Sequence, residues 1–279
     1  MVQAEWWTRE LQVAKDLARQ AGAAAMRHYA GHISVSYKDE AQSDPVTPAD
    51  KEANRLIVDG LKAAFPHDAV LAEESKDNAA RLTQARLWCV DPIDGTREFI
   101  ARNGHFVVMI GLAIDGLARL GVVYQPTEDR LWWGVDNHAA LETAEVLQVL
   151  KVSHQADASR ATAVVSRSHL SRSVNQVLDT MGVRKRQPTG SVGLKAAYIS
   201  EGAADIYVST SSRTKEWDAC APEAIARAAG GKITDVMGEP LRYNKPDPNT
   251  PRGIVITNGV LHGRAIGALG PFCSDRGFV

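Results

Sequence analysis

A layered α+β fold is what this chain of 279 residues predicts, and three observations carry the prediction. Helical and strand-like patterns mix without the strict βαβ alternation of a barrel. Two strand-like runs, 106–114 and 117–124, are joined by Asp115-Gly116, a hairpin signal. Apolar residues make up 44% and charged residues 23% of the chain, enough for one large domain or two intimately packed subdomains.

In chain order, Leu11, Ala14, Leu17, Ala18, Ala21 and Ala25 recur at helical spacing, so 5–30 is a long amphipathic helix. Residues 33–38 alternate like a strand. Thr47 and Pro48 are N-cap and first residue of a helix reaching Phe65. Residues 69–72 form a short strand that delivers Glu73 and Glu74, and 87–90 another that ends in Asp-Pro-Ile-Asp-Gly-Thr. Further strands are expected at 130–135, 162–166, 204–209 and 251–257. Helices are expected at 170–181, 190–202 and 218–229, the last stopped by Gly230-Gly231. Residues 136–160 and 242–252 read as polar or Pro-rich connections.

The net charge is −1, so no global basic field favours a nucleic-acid polymer or an anionic membrane. No run reaches the roughly 20 apolar residues of a membrane helix, and the first ten residues are too polar for a secretory signal. Cys89, Cys220 and Cys273 lack zinc-type spacing. Without a disulfide framework, a reducing cytoplasm is the expected location. Any phosphate-rich ligand must then be met locally, by a few cations and metals.

Four acidic clusters stand at element boundaries: Asp50, Glu73-Glu74, Asp91 with Asp94, and Asp218. Three have an ordinary explanation. Asp50 follows Thr47 by three, close to a capping box. Glu73-Glu74 fits a solvated loop, and Asp218 fits a helix N-cap. Asp91 and Asp94 fit it less well. Two carboxylates on one tight turn repel unless a cation compensates, and the following Gly95-Thr96 offers backbone N–H groups at a helix start. Such a turn suits hard divalent ions and a phosphate together.

Four segments, D-P-V-T-P-A-D (44–50), L-A-E-E-S (71–75), W-C-V-D-P-I-D-G-T (88–96) and E-W-D-A-C-A-P-E-A-I-A-R-A-A-G-G (216–231), carry a resemblance. Together and in this order they resemble the inositol monophosphatase superfamily, magnesium-dependent and lithium-sensitive phosphomonoesterases. The resemblance implies an α/β/α/β/α sandwich. It implies one compact unit with an N-terminal part, 1–140, carrying most metal ligands. A C-terminal part, 141–279, would carry Asp218 and the substrate-selecting residues. Glu73, Asp91 and the Ile93 carbonyl match ligands of a first Mg²⁺, and Asp91, Asp94 and Asp218 those of a second. A third, weaker ion is compatible with this set. Thr96 with Asp50, or with Glu73, matches the group that orients and deprotonates the attacking water. The N–H groups of Gly95 and Thr96 match the phosphate cradle. Members occur as monomers and as dimers, so a homodimer is admitted.

S-R-S-H (166–169), G-S-V-G-L-K (190–195) and D-G-T-R-E-F-I (94–100) are similar to the branch that hydrolyses 3′(2′),5′-bisphosphate nucleotides in sulfur metabolism. That similarity places His169, Ser191 and Lys195 on the nucleotide and its second phosphate. Where that branch often carries an arginine, this chain has Ser209, and Arg213 or Lys215 is the candidate replacement. Inositol-specific members carry an acidic residue where Ser211 stands. The implied reaction is therefore removal of the 3′-phosphate of adenosine 3′,5′-bisphosphate, a small-molecule phosphate ester. Inositol 1-phosphate, histidinol phosphate and sugar phosphates are the alternative substrates. As ordinary alternatives, Lys195 fits a solvated helix position, His169 a loop histidine and Arg213 an exposed loop cation.

Overall fold

The computed structural model describes residues 8–168 and 171–278. Its first half runs α1 (Thr8–Ala30), β1 (Ser36–Tyr37), β2 (Pro45–Val46), α2 (Pro48–Ala64), β3 (Ala69–Ala72), β4 (Arg86–Asp94), α3 (Thr96–Ile100), β5 (Val107–Ile114), β6 (Leu117–Gln125), β7 (Arg130–Val135), β8 (His138–Glu142) and β9 (Leu147–Val149). The second half runs β10 (Thr162–Ser166), α4 (Arg172–Met181), β11 (Lys185–Thr189), α5 (Val192–Ser200), β12 (Ile206–Ser209), α6 (Glu216–Ala228), β13 (Lys232–Thr234), β14 (Ile254–Thr257) and α7 (His262–Asp275).

These elements stack as α/β/α/β/α. Alanines and leucines of α1 and α2 cover one face of a seven-stranded sheet ordered β3-β4-β5-β6-β7-β8-β9. Its other face shares the largest core with α5, α6 and a five-stranded sheet ordered β11-β10-β12-β14-β13. Helices α4 and α7 close the far side of that second sheet. The Asp115-Gly116 turn joins β5 to β6 with positive φ at both residues, 51° and 74°, the twist a two-residue hairpin needs.

Helix α6 lies unusually close to the first sheet. Gly111, Gly121 and Gly134 are cross-strand neighbours on β5, β6 and β7. A Cβ at Gly121 would fall 2.3 Å from the Ala221 carbonyl oxygen, and one at Gly134 2.5 Å from the Ile225 Cα. The glycine row is thus the seat for an alanine-rich helix. It fixes where α6 begins, and hence where Asp218 stands.

Several elements differ from the sequence pattern. Residues 136–160 contain β8 and β9, where a connection is expected. Their segments are short, and β8 reads H-A-A-L-E, without β-branched or aromatic residues. The strand expected at 33–38 is reduced to Ser36–Tyr37, paired only with β2. Strand β11 carries Pro188 in a polar run and is tolerated because it is an edge. Among the described residues no helix is long and apolar enough to cross a membrane.

Candidate active site

Four helix starts and the end of β4 surround one group of carboxylates. Asp91 and Asp94 end β4, where the ladder with β5 shifts register between them. The Asp91 carboxylate accepts the Ile93 N–H at 3.0 Å, a local side-chain bond within the irregularity after which Asp94 pairs with Val107. Beneath it Ile93, Phe99 and Phe106 form a small core with Ala25 and Ala49, and the two phenylalanine rings meet edge to face at 4.9 Å. Gly95 follows in the left-handed region at φ 100°, and a Cβ there would approach the His105 carbonyl oxygen to 3.0 Å. Glycine is the residue that turns here without strain. The chain then enters α3 at Thr96.

Asp50, in the first turn of α2, is 1% exposed. Its Oδ2 accepts the N–H of Thr47 at 2.8 Å and the Thr47 hydroxyl at 2.6 Å. That is the capping box its spacing suggests. Its Oδ1 is left for another partner, the Thr96 hydroxyl at 3.1 Å. The same hydroxyl lies 3.3 Å from the Ile93 carbonyl oxygen. Burial raises the Asp50 pKa, and the bonds from Thr47 and Thr96 oppose that rise. One side chain therefore caps a helix and reaches the site.

Glu73 leaves β3 beside β4, held by its N–H on the Val90 carbonyl at 3.1 Å. Its carboxyl is hydrogen-bonded to that of Asp91. Burial and then the charges of Glu73, Asp94 and Asp218 push the Asp91 pKa well above the usual carboxylate range. Asp218, in the first turn of α6, is raised for the same reasons: burial, then Glu73 and Asp94. Its Oδ2 accepts the Lys215 N–H at 2.7 Å. Asp94 reaches across to α5, accepting the Ser191 hydroxyl at 2.6 Å and the Gly193 N–H at 2.7 Å. Four acidic groups from three separate segments are thus electrostatically coupled in a buried space, an arrangement that costs free energy without a compensating cation.

Among the described residues, no three acidic, histidine or cysteine side chains already converge in metal-ligand geometry. The reason is visible in their bonds. Asp218 and Asp50 are turned onto donors at their own helix starts, Asp94 onto the start of α5, and Glu73 onto Asp91 and Lys38. The donor set itself is all oxygen, anionic and mutually repelling, which fits a hard divalent ion such as Mg²⁺.

Sequence reasoning gave no role to Lys38. From the loop after β1 its ammonium bonds Glu73 Oε1 at 2.8 Å and also pairs with Glu74. Burial disfavours its charge, but the two glutamates outweigh that and raise its pKa. Glu74, buried beside Glu73, is pushed up to about 7. A lysine six residues before the first recognisable motif carries no local signal. Glu98 was also missed; it accepts the Ser168 hydroxyl at 2.6 Å and ties the S-R-S-H segment to α3.

The substrate candidates divide. Ser191 stands at the start of α5 with φ 57° and ψ 139°, a strained conformation for a residue with a side chain. It bonds Asp94 and caps Leu194 N–H at 3.0 Å. Lys195 is 3% exposed, so it is not the solvated helix residue its position allows. Its ammonium bonds the Ser191 carbonyl at 2.5 Å and lies 5.0 Å from the Tyr207 ring centroid. Burial lowers its pKa to about 8, while Asp94 and Glu98 work the other way. Arg213 lies on an exposed turn, and Lys215 spends its ammonium on Asn249. His169 falls outside the described residues.

Over 228 residues the chain is 38% identical to the 3′(2′),5′-bisphosphate nucleotidase CysQ of Shigella flexneri, covering 81% of this chain and 91% of that one. The solved structure of CysQ from Bacteroides thetaiotaomicron superposes with a TM-score of 0.77 at 30% identity, over 91% and 99% of the two chains. The Thermotoga maritima IMPase superposes at 0.80 with 25% identity, over 95% and 98%. Family and relatives together define a phosphoric monoester hydrolase. The inositol monophosphatase family model matches residues 6–270, and the chain belongs to that family.

Proposed function

We propose that the protein is a Mg²⁺-dependent phosphatase that removes the 3′-phosphate of adenosine 3′,5′-bisphosphate. The observation that carries this reading is the Thr96–Asp50 pair standing beside the coupled carboxylates of Glu73, Asp91, Asp94 and Asp218. Glu73, Asp91, the Ile93 carbonyl, Asp94 and Asp218 would hold two Mg²⁺ ions. When bound, these ions neutralise the phosphate and stabilise the attacking and leaving oxygens.

The chain's own groups supply the rest. Thr47 fixes Asp50 so that Oδ1 faces Thr96. The Thr96 hydroxyl passes its proton to Asp50 as it takes one from the attacking water, whose oxygen forms the new bond to phosphorus. The bond from phosphorus to the 3′-oxygen breaks, and that oxygen takes a proton from solvent. The N–H groups of Gly95 and Thr96, at the start of α3, receive the phosphate oxygens. Ser191 and the buried charge of Lys195 make the nearby corner suited to a second phosphate, with Lys195 acting from behind Ser191. Arg213, on its exposed turn, would offer the substrate a positive charge from the solvent side. The 38% identity to a bisphosphate nucleotidase supports that choice of substrate.

The test is Mg²⁺-dependent phosphate release from adenosine 3′,5′-bisphosphate, with the nucleoside product identified by chromatography. Adenosine 5′-monophosphate as the product supports the reading. Adenosine 3′-monophosphate, or release unaffected by chelation, contradicts it.

A further inference from the structure

A phosphate met at the start of α5 needs a cation that can reach it, and several cations around the site are already engaged. Lys195 is buried with its ammonium on the Ser191 carbonyl. Lys38 is held by Glu73 and Glu74. Lys215 bonds Asn249, and Arg97 bonds the Ser43 carbonyl at 2.8 Å. Arg167 differs. Its side chain is 47% exposed, and among the described residues its one ionic neighbour is Glu98, whose Oε2 lies 3.9 Å from the Arg167 Nε. That is beyond hydrogen-bond reach, so the guanidinium keeps its donors for another partner.

The fold brings Arg167 to the same corner as Ser191. Strands β10 and β11 pair in parallel, with Ser166 opposite Thr189. The ladder runs one step further, because the Arg167 N–H donates to the Thr189 carbonyl at 3.2 Å. Gly190 and Ser191 follow directly. At Gly190 there is no room for a side chain: a Cβ would fall 2.6 Å from the Glu98 Cγ and 2.7 Å from the His105 carbonyl oxygen. The Gly190 N–H donates to His105 Nδ1 at 3.3 Å. Arg167, His105 and Gly190 are thereby gathered around one carboxylate.

That carboxylate is Glu98, which is buried. Its Oε1 accepts the Ser168 hydroxyl at 2.6 Å and its Oε2 the Asn103 amide. Asn103 Oδ1 in turn accepts the His105 N–H at 3.0 Å. Burial opposes the Glu98 charge, but the bonds from Ser168 and Asn103 and the charge of Arg167 outweigh it and lower its pKa. With side-chain exposures of 7% and 47%, Glu98 lies on the protein side of the pair and Arg167 on the solvent side. The buried anion holds the guanidinium at the rim without consuming its donors. Burial, then the charge of Arg167 and, more weakly, that of Lys195 lower the His105 pKa, so both cations act on this corner.

We propose that Arg167 is a substrate-binding residue that receives the second phosphate of the bisphosphate, its planar fork of donors meeting the phosphate oxygens directly. Lys195 adds charge from behind Ser191, and Arg167 supplies the contact. This inference rests on the bisphosphate reading of the substrate and names a residue that selects for it.

The test compares adenosine 3′,5′-bisphosphate with adenosine 3′-monophosphate, which offers the same reacting phosphate and lacks the second one. Arg167→Gln should raise KM for the bisphosphate about 10–100-fold. Its kcat should stay within about twofold of wild type, and KM for the monophosphate should not change. Arg167→Lys keeps the charge but not the fork, so it should recover part of the loss. Suppose wild type prefers the bisphosphate, and Arg167→Gln keeps that preference or loses equally on both esters. That result would overturn this inference and leave the substrate reading standing. A wild type with no preference between the two esters would overturn both.

Discussion

Thr96→Val removes one hydroxyl and keeps the side chain's shape, so it isolates the group assigned to aim and deprotonate water. The structure sets two magnitudes. For stability, the hydroxyl makes a single bond to Asp50 at 3.1 Å, and Asp50 keeps two bonds from Thr47. Losing one bond of this kind costs about 1–2 kcal/mol, roughly 2–6 °C in Tm for a chain of this size. For catalysis, a positioned proton-transfer group is worth about 10²–10⁴ in rate, or about 3–5 kcal/mol in the barrier. The variant should therefore stay folded at 25 °C and lose at least about 10² in kcat with little change in KM. Thr96→Ser should recover most of the loss. Steady-state phosphate release at saturating Mg²⁺, read beside a thermal melt, measures both. A Thr96→Val enzyme within about threefold of wild type would refute the proton-relay assignment.

Asp91→Asn relieves a buried charge repelled by Glu73, Asp94 and Asp218, so the metal-free variant should melt no lower than wild type. It should lose about 10³ or more in turnover and the Tm rise that Mg²⁺ gives the wild type; an undiminished Mg²⁺ response would argue against Asp91 as a ligand. At Ser191, φ is 57°; glycine tolerates this and alanine does not, so Ser191→Gly should be more stable than Ser191→Ala by about 1 kcal/mol in denaturant melts. His262 donates to or accepts from Thr234 at 2.9 Å and Thr257 at 3.0 Å. Burial, with some help from Lys232, lowers its pKa from 6.5 to about 4. The unfolded chain therefore binds a proton that the folded one does not between about pH 6.5 and 4. Stability conferred by the neutral imidazole is full above that window and is lost as pH falls through it. His262→Gln should flatten the decline of Tm between pH 7 and pH 4.5, and equal declines would remove His262 as its source.

How much of this was legible in the sequence depended on whether the signal was local. The α1 and α2 stripes, the Asp115-Gly116 hairpin and the Asp91–Thr96 turn each depend on nearby residues, and the structure contains all of them. Strands β8, β9 and β11 are defined by their neighbours across the sheet, and their short or polar sequences carry no pattern of their own. The same division runs through the site. Asp50 read as a cap from its spacing and as a catalytic group only from the resemblance, and its two carboxylate oxygens face Thr47 and Thr96 respectively. Lys195 read both as a phosphate-binding residue and as a solvated helix lysine, because its burial against Tyr207 and its nearness to Asp94 leave no mark in the local pattern. Lys38 was invisible until β1 and β3 were brought together.

The central claim is the pairing of this site with a bisphosphorylated nucleotide. Its most direct test is kcat/KM for adenosine 3′,5′-bisphosphate and for inositol 1-phosphate, measured side by side with Mg²⁺. A second phosphate met by the Ser191–Lys195 corner predicts a preference of about 10² or more for the nucleotide. Equal values, or a preference for the inositol ester, would contradict the account.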